Sequence, residues 1–304
     1  MSKELKNKFP DWCKFEKLEN SKYDLLMTDD LDSWASCIVL KHLFGFKVKY
    51  FVDFNQYYMD SKGNKTECQQ VYKVDEGIDN NLICVDFASE SMCPGFDNHV
   101  TMLSSEDIPD KNKNSTNIND IYNITNVNYY DKFSGSTLIQ IMSLYNIDVS
   151  KWIEEQKMVL CCIDGLYTAF DVWRWDFRPK QREYLKLLGY EELIELMEFH
   201  VARNRKRDFE VLKNKYRLDS KIEINIDGKL ETDIELVELS DLFGIDLSLP
   251  TDGFGEFKRY DKIFRNLNKN PITEDEGLCT DNEKLFNFAV TGKDKIIYSK
   301  SKVS

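Results

Sequence analysis

An α/β fold built on a parallel sheet is predicted for this chain, and three observations predict it. Lys22 to Met27 is a short apolar run of strand length, and Ser33-Trp-Ala-Ser-Cys-Ile-Val-Leu-Lys-His-Leu-Phe44 is a helical run closed by Gly45. Phe46-Lys-Val-Lys-Tyr-Phe-Val52 follows as a second strand, at a distance that suits a crossover between parallel neighbours. Finally, three apolar runs of the first hundred residues have acids at an end: Asp29, Asp30 and Asp32 after the first, Asp86 after Asn81-Leu-Ile-Cys-Val85, and Asp97 with His99 beside Val100-Thr-Met-Leu103. In an open α/β sheet, ligands bind outside the carboxyl ends of the strands.

One aspartate at a helix start is explained by N-capping and the helix dipole. Three acids within four positions exceed that need. Like charges so close repel unless a cation lies between them, and hard divalent ions take oxygen ligands of this kind.

Composition narrows the classes. The 304 residues suit two domains, or one large α/β domain with an appendage. Lys and Arg number 41 against 53 Asp and Glu, a formal charge of −12, so no global positive field recruits nucleic acid. A polyanion would need a local basic patch or a metal. No apolar run approaches a membrane span, and Met-Ser-Lys-Glu-Leu-Lys-Asn-Lys lacks a signal-peptide core, so a soluble cytoplasmic protein is expected, with no membrane partner. The eight cysteines form no Cys-x-x-Cys pair and read as reduced core residues.

Along the rest of the chain, residues 53–79 are polar, with a short helix expected around Gln69 to Val74, and residues 104–128 read as a surface loop. Phe133-Ser-Gly-Ser-Thr-Leu138 opens an apolar helix whose exposed amides, with Ser134 and Ser136, could hold an anion; a plain serine cap is the competing explanation. Lys151 to Tyr167 reads as a buried helix or strand. The composition turns charged near Pro179, which places a domain boundary between 176 and 177. Gln181 to Arg217 scans as two helices parted near Gly189. Its basic stretch includes Arg203 and Arg205, read either as a solvated helix face or as a phosphate-backbone contact. Lys221 to Leu230 alternates about Asp227-Gly228, a hairpin signal.

These clusters resemble the motifs of the DHH phosphoesterase superfamily, which includes RecJ-type exonucleases, nanoRNase-type oligoribonucleases, cyclic-dinucleotide phosphodiesterases and manganese pyrophosphatases. Thr28-Asp-Asp-Leu-Asp-Ser33 is similar to its His-x-Asp-x-Asp-Gly motif, with Thr28 for His and Ser33 for Gly. Leu82-Ile-Cys-Val-Asp86 resembles the second motif. Asp97-Asn98-His99 resembles Asp-His-His with Asn98 for the first His, and Phe170-Asp-Val-Trp-Arg-Trp175 resembles the Asp-x-Trp segment of the oligoribonuclease branch.

The resemblance implies a Rossmann-like parallel sheet flanked by helices over 1–176, then linker helices and a smaller substrate-binding α+β domain over 177–304. It implies metal ligands at Asp30, Asp32, Asp86, His99 and Asp171, with Asp86 bridging two ions and Asp164 a rival for the fourth position. His99 and Asp86 are then the catalytic candidates, and Asn98, Ser134, Ser136, Arg203 and Arg205 the substrate-binding ones. Oxygen donors with one imidazole suit Mn2+ or Mg2+ rather than zinc. The implied activity is two-metal hydrolysis of phosphodiester bonds in short oligonucleotides or single-stranded nucleic acid, with a homodimer as a candidate assembly. Trp173 and Trp175 could stack bases. The glycine-rich phosphate-clasping segment of many relatives is missing, and so are two motif imidazoles. A catalytically impaired protein that binds or sequesters nucleotide is therefore the alternative.

Overall fold

A computed structural model describes residues 1–59, 62–75, 80–90, 93–104, 114–170, 177–203, 205–272 and 277–302. It shows a mixed α/β fold around one curled sheet. The strands are β1 (Tyr23–Thr28), β2 (Lys47–Met59), β3 (Lys65–Val74), β4 (Asn81–Val85), β5 (Gly95–Phe96), β6 (Ser115–Thr116), β7 (Ile222–Ile224), β8 (Leu230–Thr232), β9 (Phe254–Asn266), β10 (Glu283–Gly292) and β11 (Lys295–Lys302). The helices are α1 (Lys3–Lys6), α2 (Phe15–Leu18), α3 (Leu31–Phe44), α4 (Ile118–Ile121), α5 (Thr137–Leu144), α6 (Glu154–Cys162), α7 (Arg178–Leu188), α8 (Glu191–Ala202), α9 (Lys206–Tyr216) and α10 (Leu236–Phe243). No helix among the described residues is long and apolar enough to cross a membrane.

The nine-stranded sheet runs β10-β11-β9-β3-β2-β1-β4-β5-β6. β1 lies between β2 and β4, parallel to both, and α3 makes the crossover from β1 to β2. Asp30 caps α3 by accepting from the Ser33 amide at 3.2 Å, and Gly45 ends it in the left-handed region at φ 73°. Alternate residues of β1 serve two cores, because strand side chains point to opposite faces. Leu25 and Met27 join Trp34, Phe51 and Val85 on the helical side, and Leu26 joins Val52, Val71, Cys84 and Phe87 on the other.

Two expectations are corrected here. Residues 65–74 form a strand, not a helix, since Cys68 through Tyr72 are all buried and only a strand between two others covers both its faces. The segment 181–217 belongs to three helices; besides the stop at Gly189, a second break at 203–205 separates α8 from α9. Lys151 to Tyr167 resolves into α6 and a 3-10 segment, and the Asp227-Gly228 turn does join the hairpin β7-β8.

The hairpin β7-β8 stands as a separate two-stranded sheet, whereas β9, β10 and β11 extend the large one: β9 pairs with β3, so that sheet runs across the boundary drawn at 176/177. It also curls back on itself. The Phe288 amide donates to the Ala88 carbonyl at 3.2 Å and the Val290 amide to the Val100 carbonyl at 2.7 Å, fastening β10 to the chain just past β4 and β5. The strand ends carrying the acids therefore face the C-terminal strands across a crevice.

Trp34, 2 % exposed, packs into the helical-side core while its indole Nε1 donates to the Leu247 carbonyl at 2.8 Å. Trp34→Ala is expected to cost about 3–5 kcal/mol of unfolding free energy by chemical denaturation, and Trp34→Phe less, because the ring volume largely survives. An effect of Trp34→Ala within ordinary surface-substitution range would show that this contact does not hold α3 to the C-terminal half.

Candidate metal centre

Ser33 organises the site. Its hydroxyl donates to the Val85 carbonyl at 2.8 Å and accepts from the Thr28 amide at 2.8 Å, tying the ends of β1 and β4 together. Asp30, Asp32 and Asp86 are thereby held at one place. Asp86 sits at φ 55°, a left-handed backbone that aspartate tolerates better than most residues and that recurs at functional sites.

Two groups of ligand atoms converge there. Asp32, Asp86 and Asp164 bring carboxylate oxygens within 4.8 Å of one another, and so do ligand atoms of Asp86, Asp97 and His99. Asp86 belongs to both. Asp32 is buried and accepts from the Thr137 and Leu138 amides at 2.8 Å each, so its charge rests on the amino end of α5. The Thr137 hydroxyl donates to Asp86 Oδ1 at 2.8 Å. His99 Nδ1 lies 2.6 Å from Asp97 Oδ1, the pairing by which an imidazole is oriented to offer its other nitrogen to a metal. Asn117 braces this pair through Asp97 Oδ2 at 3.3 Å and the His99 carbonyl at 2.7 Å. Asp164 stands on a left-handed turn at φ 55° and accepts from Asn98 Nδ2 at 2.7 Å.

The electrostatics follow from crowding. Burial, and after it the charge of Asp86, raises Asp32 well above the ordinary carboxylate range; burial and the charge of Asp30 do the same to Asp86. Burial opposes the charge on His99, but Asp97 and Asp86 outweigh it, so the imidazole holds its proton above its usual range. Asp29 points elsewhere. Its carboxylate meets Lys221 Nζ at 2.9 Å and Asn55 Nδ2 at 3.1 Å, and Lys221 also reaches Asp30 at 3.4 Å.

The remaining sequence candidates distribute as follows. Asp30 lines the crevice but belongs to neither ligand group. Asp171, Trp173 and Trp175 lie outside the described residues. Ser136 is buried and its hydroxyl caps α5 through the Ile139 amide at 3.1 Å, while the amides that follow it go to Asp32, so the helix start is filled by the protein's own carboxylate. The Ser134 amide donates to Gln181 Oε1 at 3.0 Å. Asn98 spends its amide hydrogens on Gly135 and Asp164. Arg203 stacks on Phe199 and Arg205 pairs with Asp208; both are exposed and neither lines the crevice. Sequence reasoning passed over Asp97 as a ligand atom, although it ends an apolar pair as Asp86 ends its run. It also passed over Thr137 and Lys221. Lys221 carries no local signal, being 192 residues from the acid it meets.

The donor set fits a divalent cation. It is oxygen-rich with one imidazole, and the Thr28 hydroxyl is buried beside Asp30 and Asp86 without a hydrogen-bond partner among the described residues. Fold and site together define a mixed α/β protein with a carboxylate-lined crevice at its strand ends. No family model, curated protein or solved structure matches the chain.

Ion binding requires carboxylates and imidazole in their unprotonated forms, so Mn2+ binding should release protons and strengthen as pH rises. Calorimetry in two buffers of different ionisation heat checks this; pH-independent affinity without proton release would contradict the site. A second effect concerns Asp120, which accepts from the Thr101 hydroxyl at 2.7 Å and is pushed up to about 7 by burial. A carboxyl raised in the folded state contributes stability at low pH that is lost as pH rises through the folded value. The metal-free unfolding midpoint should therefore fall as pH rises from the ordinary carboxyl range of about 4 to about 7 and level off above it, and Asp120→Asn should remove that part of the fall. A fall unchanged in the variant would assign it to other groups.

Proposed function

We propose that this protein is a metal-dependent phosphodiesterase acting on short oligonucleotides or single-stranded nucleic acid, with Mn2+ or Mg2+ as its cofactor. The observation that carries this reading is the sharing of Asp86 between two ligand groups. Asp32, Asp86 and Asp164 would hold one ion and Asp86, Asp97 and His99 the other. Bound there, a pair of divalent ions supplies water activation and charge neutralisation for in-line displacement at phosphorus.

The chain's own residues do the rest. Thr137 and the first amides of α5 fix Asp86 and Asp32, and Asp97 fixes the ring of His99. Phe54 and Phe87 give the crevice an apolar side that limits bulk water, and Lys262 brings a positive charge toward phosphate oxygens. The crevice, about 170 Å³, is small enough to take one end of a chain rather than a duplex.

A second reading is a nucleotide-sequestering protein without turnover. Thr28 in place of an imidazole, and Lys221 drawn onto Asp30, favour it, because both weaken a second ion. Manganese-dependent hydrolysis of short RNA and DNA separates the two. Turnover that falls at least about a hundredfold in Asp86→Asn supports the hydrolase. Tight nucleotide binding without turnover supports the second reading, and failure to bind Mn2+ at all sinks both.

A further inference from the structure

The C-terminal wall of the crevice carries a polar group that the metal chemistry does not use. Gln69 of β3 pairs with Tyr260 of β9, Lys262 of β9 with Ser299 of β11, and Ser299 with Asn287 of β10. Residues opposite one another across strands, or two apart along one, share a face, so these five side chains lie on the side of the sheet turned to the acids. Gln69 is fully buried, yet it lines the crevice and its Nε2 has no hydrogen-bond partner among the described residues. The other end of the carboxamide is fixed. The Ser299 hydroxyl lies 2.8 Å from Gln69 Oε1 and 2.5 Å from Asn287 Oδ1, which leaves Nε2 as the unused end.

A buried amide with an unmet donor costs on the order of 1–3 kcal/mol, a cost removed when a ligand supplies an acceptor. The surroundings say what kind of ligand. Phe54 and Phe87, whose rings stack at 6.0 Å, and Ile297 line the same crevice, and Lys262, the one lysine or arginine among the described lining residues, is already drawn to the Phe54 carbonyl at 2.9 Å. A second phosphate would be stripped of water there for little return. A nucleobase has apolar faces and a polar edge, and meets both features: its faces against aromatic and aliphatic side chains, a carbonyl or ring nitrogen on Gln69.

We infer that Gln69, held by Ser299 and Asn287, is a specificity-determining residue that reads the edge of the nucleobase adjoining the scissile phosphate. This rests on the phosphodiesterase reading. The test is calorimetric binding of four 5′-mononucleotides and of abasic deoxyribose 5-phosphate to the full chain with Mn2+, before and after Gln69→Leu. The wild-type protein is expected to rank the four bases over at least about tenfold and to bind the abasic compound about tenfold more weakly than the best of them. Gln69→Leu is expected to compress the ranking. Equal affinity for abasic and base-bearing compounds would overturn the inference and assign the wall to phosphate, using wild-type protein alone. An unchanged ranking in a folded Gln69→Leu would overturn it as well. Manganese-dependent hydrolysis without base preference would remove this inference and leave the phosphodiesterase; no nucleotide binding and no hydrolysis would remove both.

Discussion

The arrangement depends on one electrostatic constraint: several carboxylates occupy a poorly solvated place where their mutual repulsion has to be answered. The protein answers part of it from its own atoms. The amino end of α5 takes Asp32, the Thr137 hydroxyl takes one oxygen of Asp86, the His99 imidazole takes Asp97, and Lys221 takes Asp29 and Asp30. These partners come from three elements, so the arrangement lasts only while α5, the loop after β5 and the turn before β7 all keep their places. What they leave unanswered, on Asp32 and Asp86 alike, is the kind of crowding that a divalent ion relieves.

Much of the crevice was legible in the sequence because its rules are local. A strand of six residues, an acid at its end, an N-cap and a left-handed glycine are read within about twenty positions, and β1, α3 and β2 stand where those signals put them. Residues 65–74 were illegible for the opposite reason. Their polarity suits a solvated helix when read alone, and only the pairing of β3 with β2 on one edge and β9 on the other buries Gln69 and Gln70. The continuity of the sheet across 176/177 is likewise a matter of long-range register, which no local pattern encodes. Ser136 shows a subtler limit. Ser, Thr and exposed amides at a helix start announce an anion site equally well whether the anion is a ligand or, as with Asp32, a side chain from far away.

Two small hydroxyl residues of the first acidic cluster have distinct places in the structure. Ser33 is a buried cross-link between β1 and β4. Thr28 places a buried hydroxyl oxygen at the crevice without a hydrogen-bond partner among the described residues.

The fastening of β10 onto the chain beyond β4 has a temporal side. Acids and aromatic floor are translated before the strands that close over them. Until those strands dock, a nascent chain exposes its half-built pocket and the open edge of β3. Misassociation through that edge is open for as long as β9 to β11 take to arrive and dock.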